Sequence, residues 1–199
     1  NACTYNDRTV YSADCPTGGV GGILKLLSEM LFEPNFSEKS FATEREVILR
    51  EMAMCADDAD ERAYDGLFGK MYLTNPLRYP IIGLRERFEA LTPDDLRGYF
   101  SRRYCTDNIC VCAASDMPHS RFFELAEAAF SRPATAALSA PAPQPEPTQI
   151  APREVSEYSD CDVAKNLLAV KIRSDFADSF AAWECMAHTL GAGNSSLLS

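Results

Sequence analysis

Apolar and polar residues alternate along this chain with two different periods. Val20, Ile23, Leu24, Leu27, Met30 and Leu31 recur at helical spacing, and Pro34 ends the run. Further helices are predicted over 38–55 and 60–72, the second carrying Tyr64, Leu67, Phe68, Met71 and Tyr72 on one side. The acidic stretch Asp57-Asp58-Ala59-Asp60 between them supplies capping oxygens and favourable charge at the positive end of the later helix. Two prolines in Asn75-Pro76-Leu77-Arg78-Tyr79-Pro80 break any helix there. Thr92-Pro93-Asp94-Asp95 places a capping hydroxyl, a proline and an acid in the order that starts a helix, which runs on to Tyr104. Phe122, Phe123, Leu125, Ala126, Ala129 and Phe130 mark another, and 180–190 a last one, stopped by Gly191-Ala192-Gly193-Asn194.

The period-two segments are fewer. The opening stretch to Ala13 reads as a strand bent at Asn6-Asp7, 108–114 as a short buried strand, and 154–160 and 166–174 as two more, the last with Leu168, Val170 and Ile172 alternating. Six of the twelve prolines lie between Pro133 and Pro152 among Ala, Ser, Thr and Gln, the composition of an extended linker. The chain is therefore expected to be α+β, with one domain over 1–132, a proline-rich linker over 133–153, and a second domain beginning at 154 and running to 199.

Composition narrows the function classes. A net charge of -10 disfavours nucleic acid and anionic membrane surfaces as partners, because both select for Lys and Arg. No apolar run reaches the roughly 18 residues of a spanning helix, and Asn1-Ala2-Cys3-Thr4 has neither a basic nor an apolar leader region. The eight cysteines are scattered through apolar segments, which predicts buried thiols in a reducing compartment, with Cys110 and Cys112 facing the same way on their strand. Cytoplasmic placement is the corresponding expectation. Gly18-Gly19-Val20-Gly21-Gly22 lacks the ending of a phosphate loop and is read as a flexible helix entry.

The chemistry-bearing segment is the helix over 38–55. Phe41, Glu44, Ile48, Glu51 and Cys55 fall at steps of three and four, so two carboxylates share a stripe with apolar positions and are expected to point inward. Buried acids are costly unless paired or bound to metal. Glu44 and Glu51 are two turns, about 10.5 Å, apart along the axis, too far for both to hold one ion directly. One ligand and one acid that orients it is the natural division, against solvated glutamates on a charged helix as the plain alternative.

Asn1-Ala2-x-Thr4, the run Glu44-Arg45-Glu46-Val47-Ile48-x-x-Glu51, Asp57-Asp58 followed by Arg62-Ala63-Tyr64, and Asn75-Pro76-Leu77-x-Tyr79-Pro80-Ile81-Ile82-Gly83 together resemble the pitrilysin/insulysin family of zinc metallopeptidases, its bacterial members most of all. The resemblance implies helices packed on a mainly antiparallel sheet, with the second domain structurally related to the first. It implies a Zn2+ site held by the two histidines of an H-x-x-E-H helix and a later glutamate, the metal activating water against a peptide carbonyl. By the resemblance Glu51 is the glutamate ligand, Glu44 the acid beside it, and Asn1, Ala2 and Thr4 the strand whose edge pairs with extended peptide substrate. The only histidines, His119 and His188, form no H-x-x-E-H, so neither is expected to bind zinc. The chain is thus expected to be a piece of such a peptidase, truncated at both ends and inactive alone. The rival expectation is a non-catalytic homologue serving as scaffold or peptide-binding subunit, and a homodimer or a heterodimer with a family homologue is the assembly implied.

Overall fold

The computed structural model describes residues 1–132, 144–158, 164–172 and 176–191. The chain divides into two compact units, Asn1–Lys165 and Asn166–Ser199. The expectations for 133–143, for 159–163 and 173–175 at the ends of the two later strands, and for the glycine stop after Gly191 lie outside the described residues.

The first unit opens with a hairpin instead of one bent strand. Strands β1 (Ala2–Thr4) and β2 (Thr9–Tyr11) pair antiparallel with Cys3 opposite Val10, and Tyr5 N–H donates to Arg8 O at 2.8 Å across the loop. Asn6-Asp7 tolerates turn geometry that a strand interior would not, and the Asp7–Arg8 ion pair at 2.9 Å and Arg8 over the Tyr5 ring occupy the same corner.

A 3-10 turn at Thr17–Gly19 leads into α1 (Val20–Phe32), so Gly21 and Gly22 lie inside the helix. A Cβ at Gly21 would stand 3.4 Å from Leu125 of α6 (His119–Phe130), which shows why the two helices can approach there. Leu24, Ser28 and Leu31 are buried on this face, whereas Met30, expected among them, is exposed. Ser28 Oγ donates to Ala129 O at 2.6 Å, Phe32 meets Phe130 edge-on at 6.1 Å, and Glu33 pairs with Arg132 at 2.7 Å. These contacts advance in the same sense along both helices, so α1 and α6 run the same way.

Helix α2 (Glu38–Asp57) is capped by Ser37, and α3 (Ala59–Met71) by Asp58, whose carboxylate accepts from Asp60 N and Glu61 N at 2.7 and 3.2 Å. The Glu61 and Asp60 amides hold the Asp58 carboxyl below its ordinary pKa. A 3-10 turn at Pro76–Arg78 follows, then Gly83 at φ 88, a left-handed angle that favours glycine, and the short helix α4 (Arg85–Glu89), which sequence periodicity did not show. Helix α5 (Pro93–Arg103) starts where the Thr92 signal put it, with a full capping box between Thr92 and Asp95. Replacing Thr92 with Ala removes one half of that box, and we expect a loss of about 1 kcal/mol of stability in urea unfolding. Phe100 ties α5 to Phe36 at 5.4 Å, and the Tyr104 hydroxyl meets the Tyr11 hydroxyl at 2.8 Å, joining α5 to the hairpin. Burial, then the Tyr11 contact, raises the Tyr104 pKa well above the usual phenol range.

Residues 108–114, 154–158 and 164–172 contain no strand, correcting three expectations: each has strand-like composition, but none has a ladder partner among the described residues. The described end of the linker is fixed to α3. Glu146 accepts from Leu73 N, Thr74 N and Asn75 N at 2.7, 3.0 and 3.0 Å, and Arg153 donates to Lys70 O and Met71 O at 3.1 and 2.8 Å. Glu157 pairs with Arg62 at 3.4 Å, and Lys165 with Asp60. The strap thus retraces α3 from its C-terminal end to its first turn. In the second unit, α7 (Phe176–Gly191) carries His188 one turn after Glu184, 3.9 Å away.

Candidate functional site

Two features define the candidate site: α2 with its acids, and a groove bordered by β1. In α2 the stripe that packs is Phe41, Arg45, Ile48, Met52 and Cys55; Met52 is buried and its Cε lies 3.9 Å from where a Cβ on Gly83 would stand. The Arg45 guanidinium donates to Glu89 O, so its stem lies along this ridge. Glu44 and Glu51 border the ridge on its other side and are exposed, which corrects the expectation that they point inward. Both stripes satisfy steps of three and four. The bulky Met52 and the long Arg45 stem select the one that packs, and the short charged alternative turns to water at no desolvation cost. Among the described residues neither carboxylate has a hydrogen-bond or ion-pair partner, so both keep their lone pairs available.

Cys55, one turn beyond Glu51, lines a groove of about 640 Å³ whose other walls include Ala2 and Thr4 of β1, Tyr64 and Phe68 of α3, and Ile81. Asn1 is exposed and outside that lining; its backbone nitrogen donates to Ser12 O at 2.8 Å, extending the hairpin. Strand β1 pairs only with β2 among the described residues, which leaves its second edge without a ladder partner. The structure therefore brings Ala2 and Thr4 to the groove, places Glu51 one turn from its wall, and leaves Glu44 two turns further back. Sequence reasoning missed Asp65, which also lines the groove: burial, and then the charge of Glu61 one turn earlier, raises its carboxyl pKa. The (i, i+4) spacing of these acids in α3 was the available signal.

The thiol expectation fails in part. Cys105 is buried and Cys15 and Cys55 are partly covered, but Cys3, Cys110, Cys112 and Cys185 are exposed, because their segments have no second layer over them among the described residues. No group of three or more His, Cys, Asp or Glu side chains able to hold a metal occurs among the described residues. One free carboxylate does not fit zinc, which takes four donors in structural sites and three protein donors plus water in catalytic ones. The described residues do not assemble a zinc centre by themselves.

The architecture is of the α+β class, helices with a small antiparallel hairpin. Residues 1–84 match the family model described as "Insulinase (Peptidase family M16)", and residues 90–199 the model described as "Peptidase M16 inactive domain". The chain belongs to peptidase family M16, the insulinase family, in agreement with the resemblance read from its motifs. It is 33% identical to a probable mitochondrial-processing peptidase subunit beta of Schizosaccharomyces pombe over 72% of its own length and 32% of that protein's. An uncharacterized zinc protease of Streptomyces coelicolor is 30% identical over 77% of this chain and 32% of its own length. In structure it is similar to a protease from Helicobacter pylori, with a TM-score of 0.80 at 22% identity, covering 92% of this chain and 46% of the other. The chain thus spans about a third of the curated relatives' length. No helix among the described residues is long and apolar enough to cross a membrane.

Proposed function

We propose that this chain contributes the carboxylate arm of a zinc centre and a peptide-binding strand edge to a zinc-dependent endopeptidase that hydrolyses extended peptides, and that the 199 residues alone are inactive. The observation that carries the reading is Glu51: exposed and free of partners on α2, one turn from the groove that β1 borders. Relatives named zinc proteases support it. Asn1, Ala2 and Thr4 lie on or next to the strand whose open edge can add an extended peptide through main-chain hydrogen bonds, with little demand on sequence. Glu44, seven residues before Glu51, acts as the outer acid that orients a zinc-bound group. A partner chain of the same family is part of this reading, supported by relatives named as peptidase subunits.

A second reading has its own support. Residues 90–199 match a model described as inactive, which fits a scaffold or peptide-binding role for that part of the chain. Both readings agree on the isolated chain. Calorimetric titration with zinc is expected to show no saturable site tighter than roughly millimolar, since one carboxylate cannot replace a full donor set. A tight one-to-one site on the 199-residue chain would show that the donors are already complete.

A further inference from the structure

The exposed segment between α5 and α6 carries two thiols that the peptidase reading does not use. Cys110 Sγ and Cys112 Sγ are 3.6 Å apart, both side chains are exposed, and a single residue separates them. Ile109, immediately before them, has extended backbone angles of φ -119 and ψ 131. Cys3 and Cys185 are exposed too, but among the described residues neither has a second sulfur within hydrogen-bonding range. We propose that Cys110 and Cys112 form a redox-active dithiol that closes to an intramolecular disulfide by exchange with low-molecular-weight disulfides.

The exchange balances without any other reactant. The Cys110 thiolate attacks one sulfur of the small disulfide, whose other half leaves as a thiolate and takes up the proton Cys110 lost. Cys112 then gives up its proton and attacks the Cys110 sulfur of the mixed disulfide, expelling the second small thiol. The protein loses two electrons and two protons, and the small disulfide becomes two thiols. The contact with Cys110 raises the Cys112 pKa, and the 3.6 Å between the sulfurs makes the second attack intramolecular. Reversible closure under mild oxidant is the expected behaviour.

The test uses the 199-residue chain, equilibrated in mixtures of oxidised and reduced glutathione made progressively more oxidising until Cys185 carries a glutathione adduct, then alkylated and mapped by mass spectrometry. The expected result is a Cys110–Cys112 disulfide, read as the loss of two hydrogens from their peptide, before that point is reached. Cys112→Ser and Cys110→Ser, each left with one thiol of the pair, should form no intramolecular disulfide there and accumulate a glutathione adduct on the remaining cysteine instead. Adducts on both cysteines, or both still reduced once Cys185 is modified, would overturn the proposal. Circular dichroism of each variant, unchanged from the parent chain, ties the readout to the thiols.

Discussion

Replacing Glu146 with Gln is expected to release the strap from α3. The carboxylate serves three backbone amides of 73–75 and the Thr74 hydroxyl at 2.9 Å, a set that needs two acceptor oxygens sharing one negative charge. A Gln side chain has the same shape with one acceptor oxygen and no charge, and its NH2 faces donors. Amide exchange at Leu73, Thr74 and Asn75 should accelerate roughly tenfold or more, while amides in the middle of α1 stay unchanged. The same contact sets a pH dependence. Desolvation pushes the Glu146 carboxyl up, but the amides and the hydroxyl together outweigh it and hold the pKa far below the ordinary glutamate value of 4.5. Because the folded value is the lower one, the contribution to stability is complete above about pH 4.5 and is lost as pH falls from there towards the folded value. Protection at 73–75, taken as the exchange rate relative to the intrinsic rate at each pH, should therefore fall on acidification below about pH 4.5 in the parent chain and respond much less in Glu146→Gln. Equal exchange in the two proteins at neutral pH would remove Glu146 from this role.

Most helices were legible because their signals are local. Helix α5 shows this best: Thr92, Pro93 and Asp95 specify its first turn within four residues, and the structure forms the box they encode. Helix α4 was missed because five residues hold too little periodicity, and Gly83, which sets it off from the preceding loop, reads as a turn that specifies no helix after it. Strands fared worse for a physical reason. Val170 and Ile172 can have the right alternation, yet a strand exists only with a partner, and partners are not encoded next to it. The hairpin was half legible: its strand residues were recognised, but Asn6-Asp7 specifies a chain reversal rather than a bend.

The candidate site was legible in its residue types and not in its orientation. Glu44 and Glu51 stood out because an amphipathic stripe contained them, but a neighbouring stripe through Arg45 and Met52 fits the same spacing. Packing against Gly83 and Glu89, far along the chain, decides between the two. Cys55, Asp65 and Phe68 join one groove through the α2–α3 turn and the 76–82 loop, contacts that spacing along either helix could not reveal.

The exposure of Glu51 sharpens what its substitution should do. With no partner to lose, Glu51→Gln should change the stability of the 199-residue chain by no more than about 0.5 kcal/mol, as ordinary surface substitutions do. On the proposed reading its effect belongs to metal binding. In a complete three-ligand site the loss of one carboxylate ligand should lower zinc occupancy and peptide hydrolysis by more than about 100-fold, whereas Glu44→Gln, acting on the ligand from outside, should cost about 10- to 100-fold. The direct measurement is zinc content and hydrolysis of an unstructured peptide, side by side, in the product of the complete reading frame and in its Glu51→Gln and Glu44→Gln variants. Stoichiometric zinc and hydrolysis in the parent, both abolished by Glu51→Gln and weakened by Glu44→Gln, is the predicted result. A parent protein that binds no zinc, or one whose zinc and activity survive Glu51→Gln, contradicts the assignment of Glu51 as the carboxylate ligand.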